Sequence, residues 1–212
     1  MSYCQAPEER LAFIIALMAI SITFLSSLQV NANLDQVVDI YRQAFREPPY
    51  NRNQAEVLAF ANSLPGHIGR EDFRFSAVFD NEAERIVGFS YGYTTRPGQW
   101  WYDQVADALE LEISKEWLPN SFQLVELAVL PEVQGQGYGG RLHDRLIAGL
   151  PHQKAVLSTL AKETVAYHLY KNRGWVDLLQ DFQFSGATRP YRIMGLDLQT
   201  RESHKKAVLN RQ

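Results

Sequence analysis

The chain has 212 residues, 46% of them hydrophobic and 12% aromatic, enough to bury the core of one domain or two small ones. A net charge of −3 argues against the broadly basic face of a nucleic-acid binder, and the single cysteine, Cys4, excludes an internal disulfide. His67, His143, His152, His168 and His204 show no metal spacing such as His-Glu-x-x-His, so they read as ordinary surface or half-buried histidines and no metal is expected.

Residues Leu11 to Leu34 carry no charge, and Leu11 to Leu25 are mostly apolar. Such a run reads as a signal peptide, a membrane span or part of a fold. Val30-Asn31-Ala32 resembles a small-residue cleavage site, but Glu8, Glu9 and Arg10 precede the run where a signal would place a basic cluster. Ile20, Ile22 and Phe24 alternate with Ser21, Thr23 and Leu25, and branched residues favour a strand. The run is therefore split into a strand over Ala19 to Ser26 and a short helix or appendage over Leu11 to Met18. A cytoplasmic protein is expected, with export or tethering as the alternative.

Apolar residues at Leu34, Val37, Val38, Tyr41, Ala44 and Phe45 predict a helix over Leu34 to Arg46, capped by Asn33 and stopped by Pro48-Pro49. A second helix is expected over Asn53 to Leu64, ended by Pro65-Gly66. Arg74 to Phe79 and Arg85 to Tyr93 read as a hairpin about an Asp80-Asn81-Glu82 turn. Trp101 to Ile113 reads as a helix, Phe122 to Leu130 as a strand ended by Pro131, and Gly139 to Leu150 as a helix closed by Pro151. Ala155 to Thr159 is a strand and Glu163 to Asn172 a helix. The last strands fall near Trp175 to Leu179 and Tyr191 to Leu198. The expected fold is α+β, with a mixed, mostly antiparallel twisted sheet flanked by helices. Residues 18–200 form its single domain, after an extension over 1–17 and before a polar tail over 201–212.

Gly135, Gly137, Gly139 and Gly140 crowd between the Phe122 to Leu130 strand and the next helix. Glycine loses the most backbone freedom on folding, so the stretch must need a bare or left-handed backbone. Gly135-x-Gly137-x-x-Gly140 matches the dinucleotide fingerprint as a pattern, but four residues separate it from the strand. Leu160 stands where that fold places an acidic residue, roughly 20 positions on. No Gly-Lys-Ser/Thr of a nucleotide phosphate loop follows. The other reading is Gln134-x-x-Gly137-x-Gly139 at a helix start, where backbone N–H groups and the helix dipole suit a pyrophosphate.

The stretch from Glu126 to Leu142, ELAVLPEVQGQGYGGRL, resembles the acetyl-CoA motif of the GNAT N-acetyltransferase superfamily. Ala166 to Trp175, AYHLYKNRGW, resembles that superfamily's later motif, in the expected order and spacing. The resemblance is clear from Phe122 to Val176. It implies acetyl transfer from acetyl-CoA to a primary amine of a small molecule or peptide, without a metal. The strand through Val125 would splay from its neighbour, and the backbones of Leu127 and Val129 would meet the pantetheine arm. Val133, Gln134, Gly135, Gly137, Tyr138, Gly139 and Gly140 would wrap the pyrophosphate.

The resemblance implies that Tyr170 protonates the leaving thiolate, against packing on Trp175 as a core aromatic. It implies that Glu126 takes the proton of the amine, against a structural salt bridge or a surface position. Glu163 stands where the family often has an asparagine, and reads as a first-turn helix acid. Tyr50, Tyr91, Tyr93, Trp100, Trp101 and Tyr102 are candidates for an aromatic acceptor wall, with core packing as the alternative. The expected partner is an amine-bearing acceptor, with no nucleic acid, no membrane, and room for a homodimer. The rivals are a non-catalytic acyl-CoA-binding sensor or interaction module of the same fold, an exported or membrane-tethered protein, and a nicotinamide-dependent oxidoreductase.

Overall fold

A computed structural model describes residues 20–199. The expected extension, the Leu11 to Met18 reading and the polar tail lie outside the described residues. Strand β1 (Ile20–Leu25) confirms the alternating reading and pairs antiparallel with β2 (Arg74–Asp80), from Ile20 opposite Asp80 to Leu25 opposite Phe75. Asp80 Oδ1 accepts the N–H groups of Glu82 and Ala83, both at 3.0 Å, and turns the chain into β3 (Arg85–Thr94). A connection this short permits only an antiparallel pair.

Helix α1 (Ser27–Ala32) was not expected. Ser26 and Gln29 form a capping box: the Gln29 N–H donates to Ser26 Oγ at 3.3 Å and the Ser26 N–H to Gln29 Oε1 at 2.9 Å. Asn33 precedes α2 (Leu34–Phe45), but its side chain does not cap that helix. Its Nδ2 donates back to the Gln29 carbonyl at 2.8 Å, so its amide closes α1. Asn53 caps α3 (Gln54–Ile68), which runs through Pro65. Proline removes one helical hydrogen bond. Leu64 and Ile68, one turn apart and both buried, carry the helix past it.

The predicted helix over Trp101 to Ile113 is two helices, α4 (Trp100–Ala108) and α5 (Leu111–Trp117). Leu109 between them is extended, with φ −77° and ψ 149°. Trp101, Val105, Leu109 and Leu118 fill one core cluster. An unbroken helix would carry Leu118 about 26 Å along its axis from Trp101, so the chain must turn. Next come β4 (Phe122–Val129), a short 3-10 turn (Pro131–Val133), α6 (Tyr138–Ile147), β5 (Lys154–Leu160), α7 (Val165–Lys171), β6 (Val176–Phe182) and β7 (Tyr191–Asp197).

The sheet is open and mixed, in the order β1-β2-β3-β4-β5-β7-β6. Hydrogen bonds from the Thr95 N–H to the Ser121 carbonyl (2.8 Å) and from the Leu130 N–H to the Val87 carbonyl (2.9 Å) run β3 and β4 antiparallel. β7 is antiparallel to both β5 and β6. β4 and β5 are parallel, with a ladder of only Phe122–Ala155 and Gln123–Val156. No helix among the described residues is long and apolar enough to cross a membrane.

The chain divides into two compact units. The first runs to Gly69 and adds Arg74–Tyr91 and Glu126–Ile147. Its core joins α2 and α3 to the sheet: Tyr41 stacks on Phe60 at 4.0 Å and Phe89 stacks on Phe75 at 5.4 Å. Helix α6 buries Leu142, Leu146 and Ile147, and its Leu142 carbonyl accepts the Ser90 hydroxyl at 3.2 Å. The second unit contains Arg70–Phe73, Gly92–Val125 and the chain from Ala148 onward. There Gly195 lets the Trp117 ring lie on β7, since a Cβ would stand 2.5 Å from that ring.

Candidate active site

The glycine turn belongs to the first unit. The Val133 N–H donates to the Leu130 carbonyl at 3.0 Å and the Gln134 N–H to the Pro131 carbonyl at 3.3 Å, closing the 3-10 turn. The Gln134 side chain reaches back to the Val129 carbonyl at 2.9 Å. Val133 and Gln134 thus shape the turn with the groups expected to meet an anion. Gly135 and Gly137 have φ of +76° and +82°, the left-handed region that favours glycine. A Cβ at either would meet nothing within 4 Å, so the backbone angle, and not crowding, selects glycine there.

Helix α6 begins at Tyr138, and the Arg141 N–H donates to the Gly137 carbonyl at 3.1 Å. A helix start leaves its first N–H groups without intrahelical partners, here those of Tyr138, Gly139 and Gly140. With the positive end of the helix dipole, these donors suit phosphate oxygens. The same unit holds Leu127 and Val129. The β4–β5 ladder ends at Gln123, so β4 makes no further pair with β5 beyond that residue.

Glu126 is half-buried as a residue, and its carboxyl is enclosed by protein. Burial pushes that carboxyl up to about 7, against the Arg52 guanidinium and the Leu127 N–H, both of which pull it down. A carboxyl that titrates there can accept a proton near neutrality. Arg52 lies past the Phe45 to Tyr50 loop, and its Nη1 donates to Glu56 Oε1 at 2.5 Å. No motif in the sequence marks Arg52.

Tyr170 belongs to the second unit and is buried on α7. Thr164 starts that helix by accepting the Tyr167 N–H at 3.1 Å. The Tyr170 ring meets Trp175 at 5.8 Å, and the Trp175 N–H donates to the Tyr170 carbonyl at 3.2 Å. The packing partner expected for this tyrosine is therefore present. Glu163 is not a first-turn helix acid: Thr164 is the cap, α7 starts at Val165, and Glu163 is exposed and 4.0 Å from His168 Nε2.

The six aromatic candidates are divided between the two units. In the first unit Tyr50 packs edge-on against Phe45 at 4.8 Å, and the Tyr91 hydroxyl meets His67 Nδ1 at 3.0 Å inside the core. In the second unit Tyr93 lies buried under Arg70, whose guanidinium carbon stands 4.4 Å from the ring centre. Burial raises the Tyr93 hydroxyl to about 12 despite that cation. The Trp101 indole N–H donates to Ser158 Oγ at 3.2 Å; Trp100 is exposed and stacks on Phe184 at 5.2 Å. His143 and His152 are fully buried rather than half-buried: His143 Nδ1 meets Asp144 Oδ1 at 3.0 Å, and His152 Nε2 meets Thr94 Oγ1 at 2.8 Å. Among the described residues no group of three or more His, Cys, Asp or Glu is placed to hold a metal ion.

Known proteins share this arrangement of elements. The acetyltransferase (GNAT) family model matches residues 34–175. A GCN5-like protein acetyltransferase of Mycobacterium tuberculosis is 35% identical over 122 residues, 53% of this chain and 59% of that protein. The match therefore spans less than two thirds of that relative. The fold is similar to that of PaiA N-acetyltransferase from Thermoplasma acidophilum, solved with coenzyme A (TM-score 0.57, 15% identity, 85% of this chain and 99% of that one). It is also similar to YncA of Salmonella typhimurium, solved with acetyl-CoA (TM-score 0.54, 16% identity, 84% and 94%). The chain belongs to the GNAT acetyltransferase family.

Proposed function

We propose that this protein is an acetyl-CoA-dependent N-acetyltransferase whose acceptor is a primary amine. The observation that carries the reading is the β4–β5 ladder that stops at Gln123, on the strand that leads into the glycine turn and α6. Backbone along Leu127 and Val129, beyond the β4–β5 ladder, suits the amides of a pantetheine arm. The N–H groups of Gly135, Gly137, Tyr138, Gly139 and Gly140 suit a pyrophosphate, on a turn that Val133 and Gln134 hold in shape. Bound there, acetyl-CoA supplies an acetyl thioester.

Glu126 takes the proton of the attacking amine, directly or through water. Half of its carboxyl is ionised near pH 7, so it is basic enough to accept a proton and present in the ionised form. Tyr170 holds a proton at its hydroxyl for the departing sulfur. Amide formation and thiol release then balance with one proton taken and one given. The M. tuberculosis relative is described as a protein acetyltransferase, which favours a peptide amine over a small-molecule one.

The reading is tested by incubating the purified chain with acetyl-CoA and a panel of lysine peptides, free polyamines and amino sugars, and following free thiol. Amine-dependent thiol release with a matching mass gain on the peptide is expected. Binding of acetyl-CoA with no transfer to any amine would instead indicate a sensor or interaction module.

A further inference from the structure

We propose that Gln123 and Ser158 form a subsite for a backbone amide of the acceptor, so that the chain selects the amine of a peptide over a simple alkylamine. The inference rests on the proposed function for the amine. The subsite itself is built from the second unit alone, and its first test needs no acetyl transfer.

Gln123 lies in β4 and Ser158 in β5, both in the second unit. Gln123 is only 4% exposed, yet its Oε1 has no hydrogen-bond partner among the described residues. An amide oxygen that has given up water without gaining a donor destabilises the fold, and a group left in that state calls for a ligand that supplies the donor.

The sheet brings Ser158 to the same place. Gln123 stands opposite Val156 at the last rung of the parallel β4–β5 ladder, and paired residues project to the same face. On that face Val156 packs in the cluster of Trp101, Val105 and Ile193. Two residues further along β5, alternation returns Ser158 to this face, past the end of the ladder. The Trp101 indole N–H donates to Ser158 Oγ at 3.2 Å. The indole thus occupies an acceptor position of the hydroxyl and leaves its proton free to be donated. Gln123 supplies an acceptor and Ser158 a donor.

Their spacing fits an amide. Strands about 4.8 Å apart and a two-residue step of about 6.6 Å put the two positions roughly 8 Å from each other. A trans amide with one partner beyond its N–H and another beyond its C=O spans about the same distance. The amide is assigned to the acceptor because Gln123 stands on the strand that carries Glu126, three residues before it.

The test is nitrogen-15 NMR of the Gln123 side-chain amide in the full chain, assigned by its loss in Gln123→Met. Two probes carry an alkylamine: Nα-acetyl-lysine methylamide, with a backbone amide on each side, and butylamine, with none. The resonance should shift saturably with the first and stay in place with the second. No shift with the first, or equal shifts with both, overturns the proposal. Gln123→Met keeps the length of the side chain and removes the oxygen that lacks a partner, so in chemical denaturation the variant should be at least as stable as wild type. A less stable or unfolded variant would make Gln123 a structural residue and overturn the proposal. In the active enzyme the preference for Nα-acetyl-lysine methylamide over butylamine, as a ratio of kcat/KM, should fall at least tenfold in Gln123→Met, chiefly through KM, and several-fold in Ser158→Ala. An unchanged ratio in both variants overturns it as well. A shifted resonance in a protein that transfers no acetyl group to any amine would sink the proposed function and leave the amide subsite standing.

Discussion

Glu126 links the stability of the protein to the chemistry proposed for it. Its folded pKa of about 7 lies above the 4.5 of an exposed glutamate. The folded state therefore holds the proton more tightly than the unfolded chain. Stability from this group is fully present below about pH 4.5 and is lost as pH rises to about 7. Glu126→Gln removes that loss. It should raise stability at pH 8 by on the order of 1–3 kcal/mol in chemical denaturation, with no gain at pH 4. The same substitution should lower acetyl transfer by about 10²-fold and abolish the acid limb near neutrality. A variant less stable than wild type at pH 8 would mean that Glu126 is a structural carboxylate.

Tyr170 gives the complementary prediction. Tyr170→Phe keeps the ring against Trp175 and deletes only the hydroxyl, so packing is preserved. Acetyl transfer should fall by about 10²-fold while acetyl-CoA affinity, measured by calorimetry, stays within a few-fold of wild type. An unchanged rate would assign Tyr170 to packing alone.

At the scale of elements, the proposed function puts most weight on the glycine turn and α6. Gly137→Ala meets no neighbour within 4 Å, so its cost is the left-handed backbone, roughly 1–2 kcal/mol. The turn can escape that strain only by moving, which displaces the N–H groups at the start of α6. The expected result is a fold close to wild type by circular dichroism with acetyl-CoA affinity reduced at least tenfold. Retained affinity would show that the turn does not hold the phosphates.

Elements with a local cause were legible in the sequence. β1 followed from alternation, the β2–β3 hairpin from its turn residues, and β4 from its apolar run closed by Pro131. Elements decided by distant packing were not. Pro65 reads as a helix stop, yet burial of Leu64 and Ile68 carries α3 past it. The break at Leu109 depends on Leu118 returning to the cluster of Trp101 and Val105, which no local pattern announces. Helix α1 was missed for another reason: the Ser26–Gln29 capping box is visible, but its helix is only six residues long.

The same division holds at the scale of the whole molecule. The glycine motif, Glu126 and Tyr170 stand out as candidates in the sequence because their spacing follows the family's pattern, and the family match covers residues 34–175. The aromatic residues left two readings open because core and binding aromatics look alike in sequence. Tyr91, Tyr93 and Trp101 proved to be core, and Trp100 alone among the six is strongly exposed. The two compact units also have no marker in composition, since β3 and β4 each contribute residues to both.

The central claim is that the backbone from Leu127 to Val129 and the glycine turn that follows it, all in the first unit, hold acetyl-CoA. Calorimetric titration of the purified chain with acetyl-CoA, with NADH as the control ligand, tests it most directly. Saturable binding of acetyl-CoA at one site per chain, with no heat from NADH, is the predicted result. A folded sample that binds NADH, or neither ligand, would contradict the account and leave the glycines to another purpose.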